Sequence, residues 1–157
     1  MWRHGYVGRV TQDVDIILPA DHVQEFLHVA SVSGFQVLPT LPRGWPKMLH
    51  KDTGVQVDIL PEGERPGVPP EYAPTTIPSP AKLGARGATL QFIALPSLVE
   101  LKLAAGRLKD QADVVELIRA NSAQITAVRD HLANVHPRYV ADFDQLIKRL
   151  DSDDATR

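Results

Sequence analysis

The feature that most constrains the fold is a stretch in which two carboxylates lead into an apolar, β-branched segment. The stretch runs from Arg9 to Leu18, and its acids are Asp13 and Asp15. Successive side chains of a β-strand alternate between its faces, so the acids would share one face, with Val14 and Ile16 on the other. The pattern therefore predicts a strand with two neighbouring acids, whose hard oxygen ligands suit Mg²⁺ or Mn²⁺.

A third acid lies in a second strand-like segment, Val55 to Leu60. There Asp58 falls on the face opposite Val57 and Ile59. Two adjacent carboxylates plus one from a neighbouring strand make a metal site for phosphoryl or nucleotidyl transfer. The alternative is that Asp13 and Asp15 are solvated acids at a strand edge. For an isolated D-x-D pair that alternative is the better interpretation.

Three segments of the chain match one protein family in the same order. They are Arg9-x-Thr11-x-Asp13-x-Asp15, Val57-Asp58-Ile59, and Leu101-Lys102 through Arg107-x-Lys109-Asp110 to Asp113. Together they resemble the nucleotidyltransferase-fold proteins related to DNA polymerase beta. More narrowly, they resemble the small bacterial and archaeal members that include AbiEii-type toxins. The resemblance covers roughly residues 1 to 120, and the three segments together are more specific than any one alone.

This resemblance implies an α/β (α+β) fold with a mixed β-sheet flanked by helices. It implies a nucleotidyltransferase-like core over residues 1–120. Hydrophobic spacing predicts a C-terminal helical portion of the same domain over 121–150, and the polar, charged residues 151–157 predict a disordered tail. The implied reaction moves a nucleoside monophosphate from a nucleoside triphosphate to a hydroxyl of RNA, protein or a small molecule. Asp13, Asp15 and Asp58 would be the catalytic residues and the ligands of Mg²⁺ or Mn²⁺.

The resemblance also assigns nucleotide-binding roles to side chains outside the three acids. A triphosphate needs positive groups opposite its metal. The matching side chains are Arg9, Thr11, Lys102, Arg107, Lys109 and Asp113. From the residues alone, the members of this set between positions 102 and 113 are better interpreted as an exposed helix face with ordinary i,i+4 pairs, such as Lys109 with Asp113. Arg9 could equally pair with a neighbouring acid.

One departure from the family pattern concerns phosphate binding. Family members carry a Gly-Gly or Gly-Ser turn upstream of the paired acids, and its backbone N–H groups hold the triphosphate. Here Gly5 is followed by Tyr6 and lies too close to Asp13 to serve. We therefore expect weak catalysis from the chain as written. The competing hypothesis is a catalytically impaired binding module that acts through nucleotide or protein contacts.

Hydrophobic periodicity predicts the remaining elements. A helix opens at Pro19-Ala-Asp21 and ends at Gly34, and Leu98, Leu101 and Ala105 mark the buried stripe of a later one. The other predicted elements are a strand at 35–38, a hairpin of 47–51 and 55–60, an irregular proline-rich stretch at 61–80, a strand at 89–94, and helices at 96–105, 110–120, 122–134 and 137–150.

Composition limits the function classes. With 43% apolar and 23% charged residues and no cysteine, the chain suits a globular domain without disulfides, and we expect a cytoplasmic location. No apolar segment reaches membrane-spanning length, and a net charge of −2 argues against coating nucleic acid by bulk electrostatics. The partners that the family resemblance implies are a nucleoside triphosphate, a tRNA or protein acceptor, and a cognate antitoxin or a second copy of the chain.

Overall fold

The computed structural model describes residues 4–5, 13–41, 44–66, 74–82 and 91–154. Contacts divide the chain into two compact units. In the described part, the sheet unit comprises residues 13–41, 44–64 and 77–82, and the helical unit comprises residues 4–5, 65–66, 74–76 and 91–154.

The sheet unit contains a mixed four-stranded sheet. Its strands are β1 (Asp13–Leu18), β2 (Phe35–Val37), β3 (Lys47–His50) and β4 (Gln56–Pro61). Their order across the sheet is β1-β4-β3-β2. Strand β1 pairs with β4 in parallel, whereas β4 pairs with β3 and β3 with β2 in antiparallel fashion. The predicted mixed α/β architecture and the predicted hairpin are confirmed.

Within the sheet unit, helix α1 (Val23–Val32) packs on the sheet. It follows a turn of 3₁₀-helix at Ala20–His22, and Gly34 ends it with a φ of 91°. Only glycine adopts that conformation without strain, which is why the helix stops where the sequence predicted. Val23 and Ala30 of α1 form one core with the apolar faces of the strands.

Alternation along β1 and β4 decides which face of the sheet enters this core. Val57 and Ile59 are buried, and Ile16 and Leu18 pack against them. The residues between them, including the acids, therefore lie on the other face.

The connection after β4 is irregular over its described residues, as the prolines predicted. Backbone hydrogen bonds still anchor it within the sheet unit. Gly63 donates to the carbonyl of Ile77, and Ile77 donates back to that of Glu64, at 2.9 and 2.8 Å. Ile77 is buried, so the start and end of this stretch are fixed beside the sheet.

The helical unit is built from four helices. They are α2 (Leu95–Ala105), α3 (Leu108–Ala120), α4 (Ile125–Val135) and α5 (Pro137–Asp154). Gly106, with a φ of 67°, separates α2 from α3 as predicted. None of the helices in the described ranges is long and apolar enough to cross a membrane.

The four helices share one core. Leu117 of α3, Leu132 of α4 and Phe143 of α5 are among its buried members. The buried stripe predicted for α2 is wrong. Its buried residues are Leu95, Val99 and Ala104, and Leu98, Leu101 and Ala105 are only partly buried.

Two other expectations differ from the structure. Gln91–Ala94, the described part of the predicted strand at 89–94, is not a strand, and His4 Nε2 lies 2.8 Å from the carbonyl oxygen of Ile93. Helix α5 continues to Asp154, whereas a disordered tail was expected from residue 151, and residues 155–157 lie outside the described part.

Candidate functional site

Strand register brings the predicted acids onto one face of the sheet. In the parallel pair, Asp15 lies directly opposite Asp58, and Asp13 lies opposite Gln56. Directly opposite residues of neighbouring strands project to the same side. The prediction that Asp13, Asp15 and Asp58 share a face is therefore confirmed.

On this face, Asp15 of β1, Asp58 of β4 and Lys47 of β3 form a cross-strand row. Lys47 is the antiparallel partner of Asp58, just as Asp15 is its parallel partner. Because β4 lies between β1 and β3, Asp58 has an acid on one side and an ammonium group on the other.

Both carboxylate oxygens of Asp58 accept hydrogen bonds from the protein. Lys47 Nζ forms an ion pair with Oδ2, and Gln56 Nε2 donates to Oδ1 at 2.6 Å. The Lys47 side chain is 40% exposed and that of Asp58 is 21% exposed. The ion pair is therefore accessible to solvent and to dissolved ions.

The donor chemistry of this face suits a hard divalent cation, because Asp13 and Asp15 are exposed and supply carboxylate oxygens. The expected convergence of three ligands is not seen. Within the described ranges, no three His, Cys, Asp or Glu side chains form a group that could hold a metal ion. Lys47 holds Asp58 instead, so binding by all three acids requires side-chain rearrangement.

The helical unit contains a second charged group, at the junction of α2 and α3. Lys102 Nζ lies 3.2 Å from Asp110 Oδ1 and 2.8 Å from Asp113 Oδ2. Arg107 also donates to both oxygens of Asp110, through Nε at 2.5 Å and through Nη2 at 3.0 Å. We call these four residues the junction cluster.

Burial makes the junction cluster energetically important. The Asp110 side chain is 0% exposed and that of Lys102 is 16% exposed. Burial alone would raise the pKa of Asp110, but hydrogen bonds and charge from Arg107 and Lys102 outweigh it and hold the pKa below the ordinary value of 3.8. Asp110 is therefore ionised at neutral pH.

The remaining predicted nucleotide-binding residues fall in different surroundings. Lys109 is exposed and does not form the i,i+4 pair considered for it, because Asp113 is paired with Lys102. Arg9 and Thr11 lie outside the described residues. The described cations assigned to phosphate therefore include Lys102 and Arg107, which bind buried acids, and Lys109, which is exposed.

Two sets of partners were not expected from the sequence. The predicted hairpin of 47–51 and 55–60 contains both Lys47 and Asp58, but their ion pair was not predicted, and Gln56 was given no role. Glu100 was also given no role; it accepts a hydrogen bond from Thr75 at 2.7 Å and lies 2.7 Å from His131 Nε2. The i,i+2 spacing of Gln56 and Asp58 along one strand was the available signal for the first set.

Searches of protein-family models, curated proteins and solved structures find no match to this chain.

Proposed function

We propose that the chain is a metal-dependent, nucleotidyltransferase-like protein that uses the acidic face of its sheet. The observation that carries the proposal is the parallel register of β1 and β4, which sets Asp15 opposite Asp58 with Asp13 on the same face. The sequence resemblance assigned the same three acids to catalysis.

In the proposed reaction, an acceptor hydroxyl oxygen forms a bond to the α-phosphorus of a nucleoside triphosphate, and the bond to pyrophosphate breaks. Asp13, Asp15 and Asp58 would hold Mg²⁺ or Mn²⁺, which would neutralise charge on the phosphates. Asp58 would also accept the proton from the acceptor hydroxyl. Gln56 would orient that carboxylate through its hydrogen bond to Oδ1.

For the helical unit, we propose different roles for the residues assigned to nucleotide. Lys109 is exposed and available to contact phosphate as a point charge. Lys102 and Arg107 hold Asp110, and Lys102 also holds Asp113, so their first role is to fix the junction of α2 and α3.

A second candidate function is a binding module that has this fold without efficient catalysis. The specific observation in its favour is that Lys47 and Gln56 engage both oxygens of Asp58. A carboxylate held in this way is a poorer metal ligand and a poorer base than a free one. In this alternative, nucleotide or protein contacts would occur without turnover.

Thermal unfolding with and without Mg²⁺ or Mn²⁺ tests the metal site. Clustered carboxylates repel one another, and a bound divalent ion relieves this, so the ion should raise Tm. At ten times Kd the stabilisation would be about 1.4 kcal/mol. We expect no ion-dependent rise of Tm in Asp15→Asn. The control variant Asp21→Asn removes an exposed acid elsewhere in the sheet unit and should keep the rise.

Two outcomes would contradict the proposal. An equal rise of Tm in both variants would show that the ion binds elsewhere, and no rise in the unmodified chain would remove the metal site. Labelled nucleoside triphosphates with Mg²⁺ and a tRNA or protein acceptor pool would then separate the two candidates. Label transfer that Asp58→Asn abolishes indicates the enzyme, and nucleotide binding without transfer indicates the binding module.

A further inference from the structure

The outer edge of strand β2 is open in the sheet unit. Within the described residues, β2 pairs with β3 on one side and with no strand on the other. An edge strand presents unpaired backbone N–H and C=O groups, and these form a template for pairing with another strand. The open edge is therefore a candidate surface for contact with another chain.

The hydrogen bonds to the β3 side show which backbone groups of β2 point outward. The carbonyl of Gly34 accepts a hydrogen bond from that side at 3.0 Å, and the N–H of Leu38 donates one to it at 2.9 Å. Backbone groups of alternate residues in an antiparallel pair face the same neighbour, so those of Gln36 also face β3. The N–H and C=O groups of Phe35 and Val37 therefore face the open edge.

The sequence around β2 lacks the charged residues that usually protect an edge strand. Natural edges commonly carry lysine or other charges, which disfavour pairing with another chain. From Phe26 to Leu41 there is no Asp, Glu, Lys or Arg, although 23% of the whole chain is charged. Apolar side chains are exposed in and beside the strand, since Val32 is 77%, Val37 43% and Leu41 82% exposed. A partner strand would meet no charge penalty here.

We propose that β2 pairs in antiparallel fashion with β2 of a second copy of the chain, related by a two-fold axis at Gln36. In this register Phe35 lies opposite Val37 of the second copy, so the outward backbone groups of both residues find partners. The sheets of the two copies then form one continuous sheet. A second copy is the partner that fits, because an uncharged edge is complementary to itself and causes no like-charge repulsion. This inference does not depend on the proposed function.

The length of β2 sets the expected strength of the contact. The strand has three residues, and Pro39 has no N–H group with which to extend the pairing. Short edge strands limit edge-to-edge pairing. We therefore expect a reversible dimer that dissociates on dilution, in the class of small, transient interfaces.

Sedimentation of the full chain over a concentration series measures this dimer. On the proposed axis, the Gln36 side chains of the two copies lie directly opposite each other. Gln36→Lys and Gln36→Glu should each raise the Kd of the dimer about two- to fivefold, because like charges then meet. An equimolar mixture of the two variants should associate more tightly than either alone. Gln24→Lys, the same substitution at an exposed position of α1, should leave Kd unchanged.

A disulfide tests the register directly. The chain contains no cysteine, so Gln36→Cys carries a single thiol. Opposite residues of a non-hydrogen-bonded antiparallel pair have Cα atoms about 4.5 Å apart, within the span of a disulfide. With oxidised glutathione as the oxidant, Gln36→Cys should form a covalent dimer about tenfold faster than Gln24→Cys, because pairing raises the effective concentration of the thiols.

The results decide the inference as follows. Weaker association of both charged variants, recovery in their mixture and faster cross-linking at position 36 support it. A chain that sediments as a monomer throughout the series overturns it. A dimer whose Kd is the same in Gln36→Lys, Gln36→Glu and Gln24→Lys also overturns it, because the contact would then lie elsewhere. Gln36 is exposed, so each variant should keep the Tm of the unmodified chain, which thermal unfolding checks.

Discussion

Asp110 shows how a single buried carboxylate can be kept charged. Burial opposes its ionisation, while Arg107 and Lys102 favour it more strongly, so its pKa lies below 3.8 in the folded chain. An unfolded chain would restore a pKa near that ordinary value. The ionised group therefore stabilises the fold fully above about pH 3.8, and this contribution is lost as the pH falls through the folded-state pKa.

We predict that Asp110→Asn lowers the free energy of unfolding at neutral pH and flattens its acid dependence. The neutral-pH loss should be about 2 kcal/mol. This loss is smaller than the loss expected when a fully buried, isolated ion pair is broken, because Lys102 still pairs with Asp113 and the Arg107 side chain is half exposed. Urea unfolding between pH 2 and pH 7 measures both effects. Asp130→Asn, at an exposed site on α4, should leave the acid dependence unchanged, and equal flattening in both variants would contradict the prediction.

At the scale of elements, the junction of α2 and α3 joins two helices through charge as well as apolar contacts. Lys102 lies on α2, and both of its acid partners lie on α3. Substitution to methionine keeps much of the side-chain volume but leaves Asp113 without that cation. Removing one partner of a buried ion pair leaves the other charge buried without compensation, so this substitution should lower the stability of the α2–α3 junction.

We predict that Lys102→Met destabilises the chain by about 3 kcal/mol. Lys109→Met, one helix position before Asp110, should change stability by less than about 0.5 kcal/mol, because the side chain is exposed. Chemical denaturation measures both. Under the proposed function, Lys109→Met would weaken binding of a nucleoside triphosphate without loss of stability. Equal stability of the two variants would show that the junction cluster is not structural.

The junction cluster also marks the limit of what the sequence reveals about elements. Helix periodicity located α2 and α3, but Lys102 and Asp113 are eleven positions apart, and their contact depends on the angle at which two helices meet. The buried stripe of α2 depends on packing in the same way. The pairing of Lys47 with Asp58 is easier to predict than the contact between Lys102 and Asp113, because the register of a hairpin follows from the position of its turn.

The segment before α2 shows a different limit. The apolar residues Phe92, Ile93 and Ala94 suggested a strand, but an apolar run alone does not distinguish a strand from an irregular segment, and Phe92 is 54% exposed. The carbonyl group of Ile93 is instead in hydrogen-bonding distance of the His4 imidazole. The common face of Asp13, Asp15 and Asp58 was easier to predict, because side chains alternate along β1 and β4. Alternation does not determine where each carboxylate group lies on that face.

At the scale of the whole molecule, the described residues form two separate hydrophobic cores. One combines α1 with the sheet, and the other combines α2 to α5. Ile59 and Phe143 are 0% exposed and belong to different cores. Since local stability follows cooperative groups of packed elements, hydrogen exchange should resolve the two cores.

We predict that Phe143→Ala costs about 4 kcal/mol and Ile59→Ala about 3 kcal/mol, because each leaves a cavity in a fully buried site. Native-state hydrogen exchange should show where the loss falls. Phe143→Ala should lower amide protection in α2–α5 more than in β1–β4, and Ile59→Ala should do the reverse. Val32→Ala, on the exposed side of α1, serves as a control that changes neither. Equal loss of protection in both sets of elements would show that the chain unfolds as one cooperative unit despite its two cores.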